Sequence, residues 1–262
     1  MYPLRLYGSL VRKFPWIRWG FRRFLLFFLL RSRIADRVRC GLESFGVKGD
    51  EVVRENLLYL LGLVEEFLFV LYHPRGEELL RERVKVTGLE GLKEALKRGK
   101  GALLVGLHMG NFPWAIARLA LEVPLCVVLR EIRGKVAWRL LQEGLRRAGV
   151  YWVPPRGSLL KVRSLLRQGK AVLYLVDQYL MGLSAEGRSR GLEEGLRLLL
   201  KDTQVPLFLF GVSEGDSHVL LELKGPMRGP EGLSSLKEWV LTEVYKKPQL
   251  WLWWFRLGKR RR

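Results

Sequence analysis

The sequence of 262 residues is poor in histidine and cysteine and has no long apolar run. Its three histidines, His73, His108 and His218, and its two cysteines, Cys40 and Cys126, are scattered. They show none of the paired spacing that marks a zinc site or a disulfide framework, so no metal and no cofactor is expected. The longest uninterrupted apolar stretch, residues 24–30, is far short of the roughly 18–20 residues that a bilayer-crossing helix needs. Arg31-Ser32-Arg33 follows it, where a signal peptide would need small residues for cleavage. No repeat, low-complexity tract or Gly/Ser/Pro-rich linker divides the chain. Acid is also scarce, with 26 Asp+Glu against 46 Lys+Arg and a formal net charge of +20.

That imbalance calls for an acidic partner: nucleic acid, an anionic lipid surface or an acidic carrier protein. The first 34 residues hold eight Arg or Lys and no acid, interleaved with Phe14, Trp16, Trp19, Phe21, Phe24, Phe27 and Phe28. Rings at headgroup depth and guanidinium groups on lipid phosphates suit a helix lying in the bilayer interface. The other end repeats the theme, since Trp251, Trp253, Trp254 and Phe255 run into Arg256, Lys259 and Arg260. Read alone, this second segment fits either an interfacial anchor or a buried strand with a basic tail. The aromatics cluster with Leu and Phe instead of standing singly between charges, so no nucleic acid partner is expected. Residues 1–34 are therefore read as a membrane-interface helix and residues 35–262 as the main domain.

Within that domain, apolar residues at helical spacing fill 51–72, ahead of Pro74. From there strands and helices alternate. Strands are expected at 84–87, 102–107, 125–129, 151–153 and 171–176, with helices at 91–98, 113–121, 136–148, 159–167 and 192–201 between and after them. Strands at 207–212 and 219–223 read as an antiparallel hairpin, and 232–245 as a last helix. The pattern predicts an α/β fold: a mostly parallel sheet flanked by helices, with N-terminal interfacial helices and a C-terminal antiparallel hairpin.

Sites in open parallel sheets lie beyond the carboxyl ends of the strands. Two polar motifs fall there: His108 directly after the strand at 102–107, and Asp177-Gln178 directly after the strand at 171–176. Gly110 permits a tight strand-to-helix turn, Asn111 suits an N-cap, and Pro113 fits a first helical turn. A neutral imidazole held beside a helix N-terminus can take a proton from a hydroxyl, while nearby amides face the developing negative charge.

The ordered set of motifs resembles the bacterial lipid A biosynthesis (late) acyltransferases of the lysophospholipid acyltransferase superfamily, over about residues 5–259. Val53-Arg54-Glu55-Asn56-Leu57 is similar to the family's Arg-x-Asn-Leu helix. Val86-Thr87-Gly88-Leu89-Glu90-Gly91-Leu92 looks like the entry to its core, and Leu107-His108-Met109-Gly110-Asn111-Phe112 like its His-x-Gly-Asn-Trp box. Val128-Leu129-Arg130 and Leu145-Arg146-Arg147-Ala148-Gly149 resemble its arginine-bearing stretches, and Val176-Asp177-Gln178 its Asp-Gln. Pro248-Gln249-Leu250-Trp251-Leu252-Trp253 resembles its C-terminal signature, with the Gln one place early.

The resemblance implies transfer of a fatty acyl chain from acyl carrier protein to a hydroxyl of an anionic lipid A precursor glycolipid. The implied location is the cytoplasmic face of the inner membrane, and His108 is the implied base. Asn111, Arg130, Arg188 and Arg190 are the candidate substrate-binding residues, the last two in a basic stretch, 187–191, read as a mobile loop. The family places an acid four intervening residues after its His, and here Pro113 stands in that place. Asp177 is the leading substitute, ahead of Glu122, Glu131 and Glu186. His108 acting alone and a degenerate, non-catalytic lipid-binding relative are the other readings, as is transfer to a lysophospholipid or another glycolipid.

Overall fold

The computed structural model describes residues 15–257, apart from 74, 133, 182–185 and 216 and the side chains of some further helical residues. The chain folds as two compact units, Met1–Leu79 with Glu243–Arg262, and Leu80–Thr242. The change of composition at residue 34 falls inside the first of these. Helices α4 (Gly76–Arg83) and α11 (Leu236–Lys246) carry the chain into and out of the second unit.

The first unit is helical: α1 (Pro15–Leu30), α2 (Arg33–Glu43), α3 (Asp50–Tyr72) and, from the far end of the chain, α12 (Trp254–Leu257). Ser32 caps α2, its hydroxyl accepting from Ile34 N at 3.2 Å. The buried stripe Ala35, Val38, Gly41 and Leu42 follows the helical period. Gly41 is required there because the Trp254 carbonyl occupies the place of a Cβ. Asn56, fully buried on α3, donates from Nδ2 to the carbonyls of Gln249 (2.8 Å) and Trp251 (2.9 Å). Trp254 Nε1 donates to the Pro248 carbonyl at 2.6 Å, and its ring meets Trp251 edge-on at 4.7 Å and Phe45 at 5.4 Å.

Trp251 and Trp254 are thus fully buried core. Of the two readings of the C-terminal aromatics, burial and not an interfacial anchor is what these two rings show: backbone carbonyls of the same segment accept from Asn56 Nδ2 and Trp254 Nε1, which ties the rings inward, while Asn56 Oδ1 is buried with no partner among the described residues. On α1, Arg22 pairs with Glu65 and Glu66 of α3. Phe24, Phe27 and Phe28 point the other way, 52–59% exposed, and the Arg31 guanidinium lies 3.7 Å over the Phe27 ring. No helix among the described residues is long and apolar enough to cross a membrane.

The second unit is built on one seven-stranded sheet ordered β1-β7-β6-β2-β5-β3-β4. Its strands are β1 (Val84–Thr87), β2 (Ala102–Gly106), β3 (Leu125–Val128), β4 (Tyr151–Val153), β5 (Ala171–Leu175), β6 (Leu207–Glu214) and β7 (Val219–Met227). All pairs are parallel except β6–β7. The expected α/β class, with its antiparallel C-terminal hairpin, is therefore what the chain forms. Because β1 runs parallel to β7, it too opposes the other five strands, a reversal that hydropathy does not encode.

Helices α5 (Leu89–Lys97), α6 (Phe112–Ala120), α7 (Lys135–Arg147), α8 (Leu159–Arg167), the single turn α9 (Asp177–Leu180) and α10 (Glu186–Thr203) complete the unit. The central strands β2 (ALLVG) and β5 (AVLYL) are buried almost throughout, as strands between helical layers must be. One expectation is corrected: residues 187–191 are helical, within α10, and not a loop. Gly187 and Gly191 suggested a loop, but the run that follows them has a helical period long enough to extend back over both.

Candidate active site

The site follows from register. β2 and β5 pair in parallel, Ala102 with Ala171 through Gly106 with Leu175. Val176 N donates to the Gly106 carbonyl at 2.9 Å, carrying the ladder one step past both strands. Two residues beyond each strand stand His108 and Asp177, so they leave the sheet side by side at its carboxyl edge. Asp177 takes two hydrogen bonds from His108: its Oδ1 lies 2.7 Å from Nδ1 and its Oδ2 3.1 Å from the backbone N. Asp177 is fully buried, while the His108 side chain keeps 13% exposure.

A carboxylate against Nδ1 holds the Nδ1–H tautomer and puts the lone pair on Nε2. The second bond, from the His108 amide, fixes the carboxylate itself. Gly110 makes the next bend at φ 55°, in the left-handed region, with Val212 packed where a side chain would begin. Asn111 then caps α6, its Oδ1 accepting from Trp114 N at 3.3 Å, and Pro113 sits in the first turn. The Phe112 ring stands edge-on to the imidazole, 5.1 Å between centroids. Sequence reasoning gave Phe112 no role. Its place four residues after the histidine, at a helix start, was the available signal.

Of the other candidates, Asn111 is buried and employed as the cap. Arg130 is exposed two residues past the end of β3, the strand next to β5, with no ion pair among the described residues. The backbone of Arg188 and Arg190 belongs to α10, and their side chains lie outside the described residues. Among the alternative acids, Glu122 is engaged with Arg81 (2.6 Å), Lys93 (2.8 Å) and Arg118 (2.7 Å) beyond the far end of α6. Those contacts, led by the Lys93 hydrogen bond, hold its carboxyl down at about 2. Glu131 is exposed, and the side chain of Glu186 lies outside the described residues. Among the described residues no three His, Cys, Asp or Glu side chains gather as metal ligands would.

The family model for bacterial lipid A biosynthesis acyltransferases matches residues 44–186, more than half of the chain. The chain belongs to this family. The match spans both halves of the site, His108 with its loop and Asp177, and also Arg130. In this acyltransferase of lipid A-type biosynthesis, the carboxylate beside the histidine comes from the neighbouring strand. Pro113, five residues after the histidine, fills the position where the family pattern carries its acid. No curated protein matches the chain closely enough to be reported as a relative.

Proposed function

We propose that the protein moves a fatty acyl chain from acyl carrier protein to a hydroxyl of an anionic lipid A precursor glycolipid, with His108 as general base and Asp177 as the carboxylate that orients it. The observation that carries this reading is the 2.7 Å contact between His108 Nδ1 and Asp177. It supports an active enzyme over a non-catalytic lipid binder, because a buried acid aligned on an imidazole is the arrangement general-base chemistry needs.

In the proposed reaction the acceptor hydroxyl gives its proton to Nε2 as its oxygen attacks the thioester carbonyl carbon. The tetrahedral oxyanion is stabilised by Arg130 or by amides at the start of α6. Collapse breaks the carbon–sulfur bond, and the imidazolium returns the proton to the departing sulfur. Asp177 keeps its hydrogen bond to Nδ1 and stabilises the imidazolium. Arg188 and Arg190 are proposed to hold acceptor phosphates, as guanidinium groups do well.

The location proposed is the cytoplasmic face of the inner membrane, with α1 lying in the interface through Phe24, Phe27 and Phe28. Purified protein supplied with acyl-carrier-protein thioester and lipid A precursor tests the reading. His108→Ala is expected to lower the transfer rate by about 10²–10⁴-fold with the fold retained. Equal inactivity of wild type and variant with every acceptor offered would sink the catalytic assignment.

A further inference from the structure

The sheet edge that carries His108 and Asp177 also leaves some positive charge uncompensated. Helices α2, α3, α4, α5 and α11 each place an acid in the first turn, the usual complement to the amide dipole. Helices α6, α7 and α8, which start at the carboxyl edge of the parallel strands, have none, and α7 opens on Lys135. The acid that opens α9 is Asp177, already engaged with His108.

Many arginines are held in ion pairs, and a few at this edge are not. Arg81 and Arg118 are held by Glu122, Arg146 and Arg147 by Glu143, Arg163 and Arg167 by Asp202, and Arg197 by Glu193. Arg139, one turn into α7, and Arg156, between β4 and α8, are exposed and have no ion pair among the described residues; nor has Lys135. Beside these cations stand uncovered aliphatic side chains, Val136 at 71% and Leu160 at 73% exposure. Glu131 is the exposed acid of this rim.

We propose that this rim, formed by Lys135, Val136 and Arg139 on α7 with Arg156 and Leu160 before and on α8, is the docking surface for the acidic protein that delivers the acyl thioester. The proposal rests on the reading that the donor is acyl carrier protein and assigns where that carrier lands. Unpaired cations beside exposed aliphatic residues, at two helix starts on the same sheet edge, match an acidic surface with small apolar patches. Helix dipoles and guanidinium groups of one sign focus the field at this edge and speed encounter with an anionic partner. Reach is adequate as well: β3 and β4 lie two and three strands from β2, roughly 10–15 Å, a span for an extended thioester arm. A lipid surface fits less well here, because the rim exposes no aromatic side chain whereas α1 exposes three.

The test is the affinity of fluorescently labelled acyl carrier protein for the full-length protein in detergent micelles, with wild type, Lys135→Glu/Arg139→Glu and Arg146→Glu compared. The expected result is a salt-sensitive complex with wild type and a Kd about tenfold or more higher for the double variant. Arg146→Glu, further along the same helix, is expected to stay within about twofold of wild type, in line with a charge already paired at home. Transfer from a protein-free acyl thioester should be unchanged in the double variant. No binding by wild type, equal Kd for wild type and double variant, or equal loss in both variants would overturn the docking surface. So would loss of vesicle binding by the double variant with carrier affinity intact, which would make the rim a lipid contact. Carrier binding without any acyl transfer would keep the docking surface and remove the catalytic reading. Transfer from the protein-free thioester without carrier binding would do the reverse.

Discussion

A neutral imidazole acts as a base only through the nitrogen that keeps its lone pair, and in the proposed mechanism Asp177 makes that choice for His108. Its Oδ1 on Nδ1 and its Oδ2 on the His108 amide leave the ring little freedom to flip. Asp177→Asn would set an amide N–H against Nδ1 and so favour the tautomer with its proton on Nε2, which cannot accept another. We expect kcat to fall by about 10²–10⁴-fold with KM nearly unchanged. Wild-type kcat in Asp177→Asn would rule out the orienting role. Pro113→Glu is predicted to give no rate gain, because Nδ1 is already occupied. A gain of about tenfold or more would show that the missing acid limits the rate.

The site pair was readable from the sequence because two apolar runs of matching length each ended in a chemically useful residue. The contact itself was not, since it depends on β2 and β5 being neighbours in register. Strand order is a property of the sheet, and residues 102–106 and 171–175 are separated by two other strands in the chain. Asn111 shows the opposite case. Its capping role follows from local spacing alone, and the helix begins where that spacing puts it.

At the scale of elements, Glu122 is the clearest stabilising feature. It joins Arg81 of α4, Lys93 of α5 and Arg118 of α6 through one largely buried carboxylate. Its pKa is about 2 against an ordinary 4.5, so its contribution is fully present above about pH 4.5 and is lost as pH falls toward 2. Glu122→Gln is expected to cost about 1–3 kcal/mol at neutral pH by urea denaturation, through three cations left close together. The variant should also lose part of the wild type's acid sensitivity between pH 4.5 and 2. A variant whose stability and acid profile match wild type would show the cluster to be energetically idle.

Element boundaries were legible where the apolar pattern is clear, as at 84–87, 151–153 and 159–167, which the structure reproduces. They were lost where glycine misled, at 187–191. The C-terminal tryptophans were ambiguous for a different reason. Hydropathy says that a ring wants cover but not what supplies it, and here the cover is Phe45, the backbone of α2 and the Asn56 hydrogen bonds.

For the whole molecule, Trp251 and Trp254 are buried while α1 exposes three phenylalanines, the surface that the proposed bilayer contact would use. Phe24, Phe27 and Phe28 share one exposed face with Arg23 and Arg31, while Arg22 and Leu26 face inward. Each phenylalanine, about half exposed, contributes at most roughly 1.5 kcal/mol on moving from water into the interface, and each cation near an anionic surface about 1 kcal/mol more. Substituting Phe27→Asp and Phe28→Asp together removes two rings and adds two charges of the repelled sign. Co-sedimentation with vesicles containing anionic lipid should then show partitioning reduced by about tenfold or more, without loss of thermal stability, because neither side chain is packed in the core. Arg23→Gln with Arg31→Gln should weaken binding less and remove most of its dependence on salt. If both double variants sediment with vesicles like wild type, α1 does not hold the protein on the membrane, and the lipid acceptor must be met by another surface.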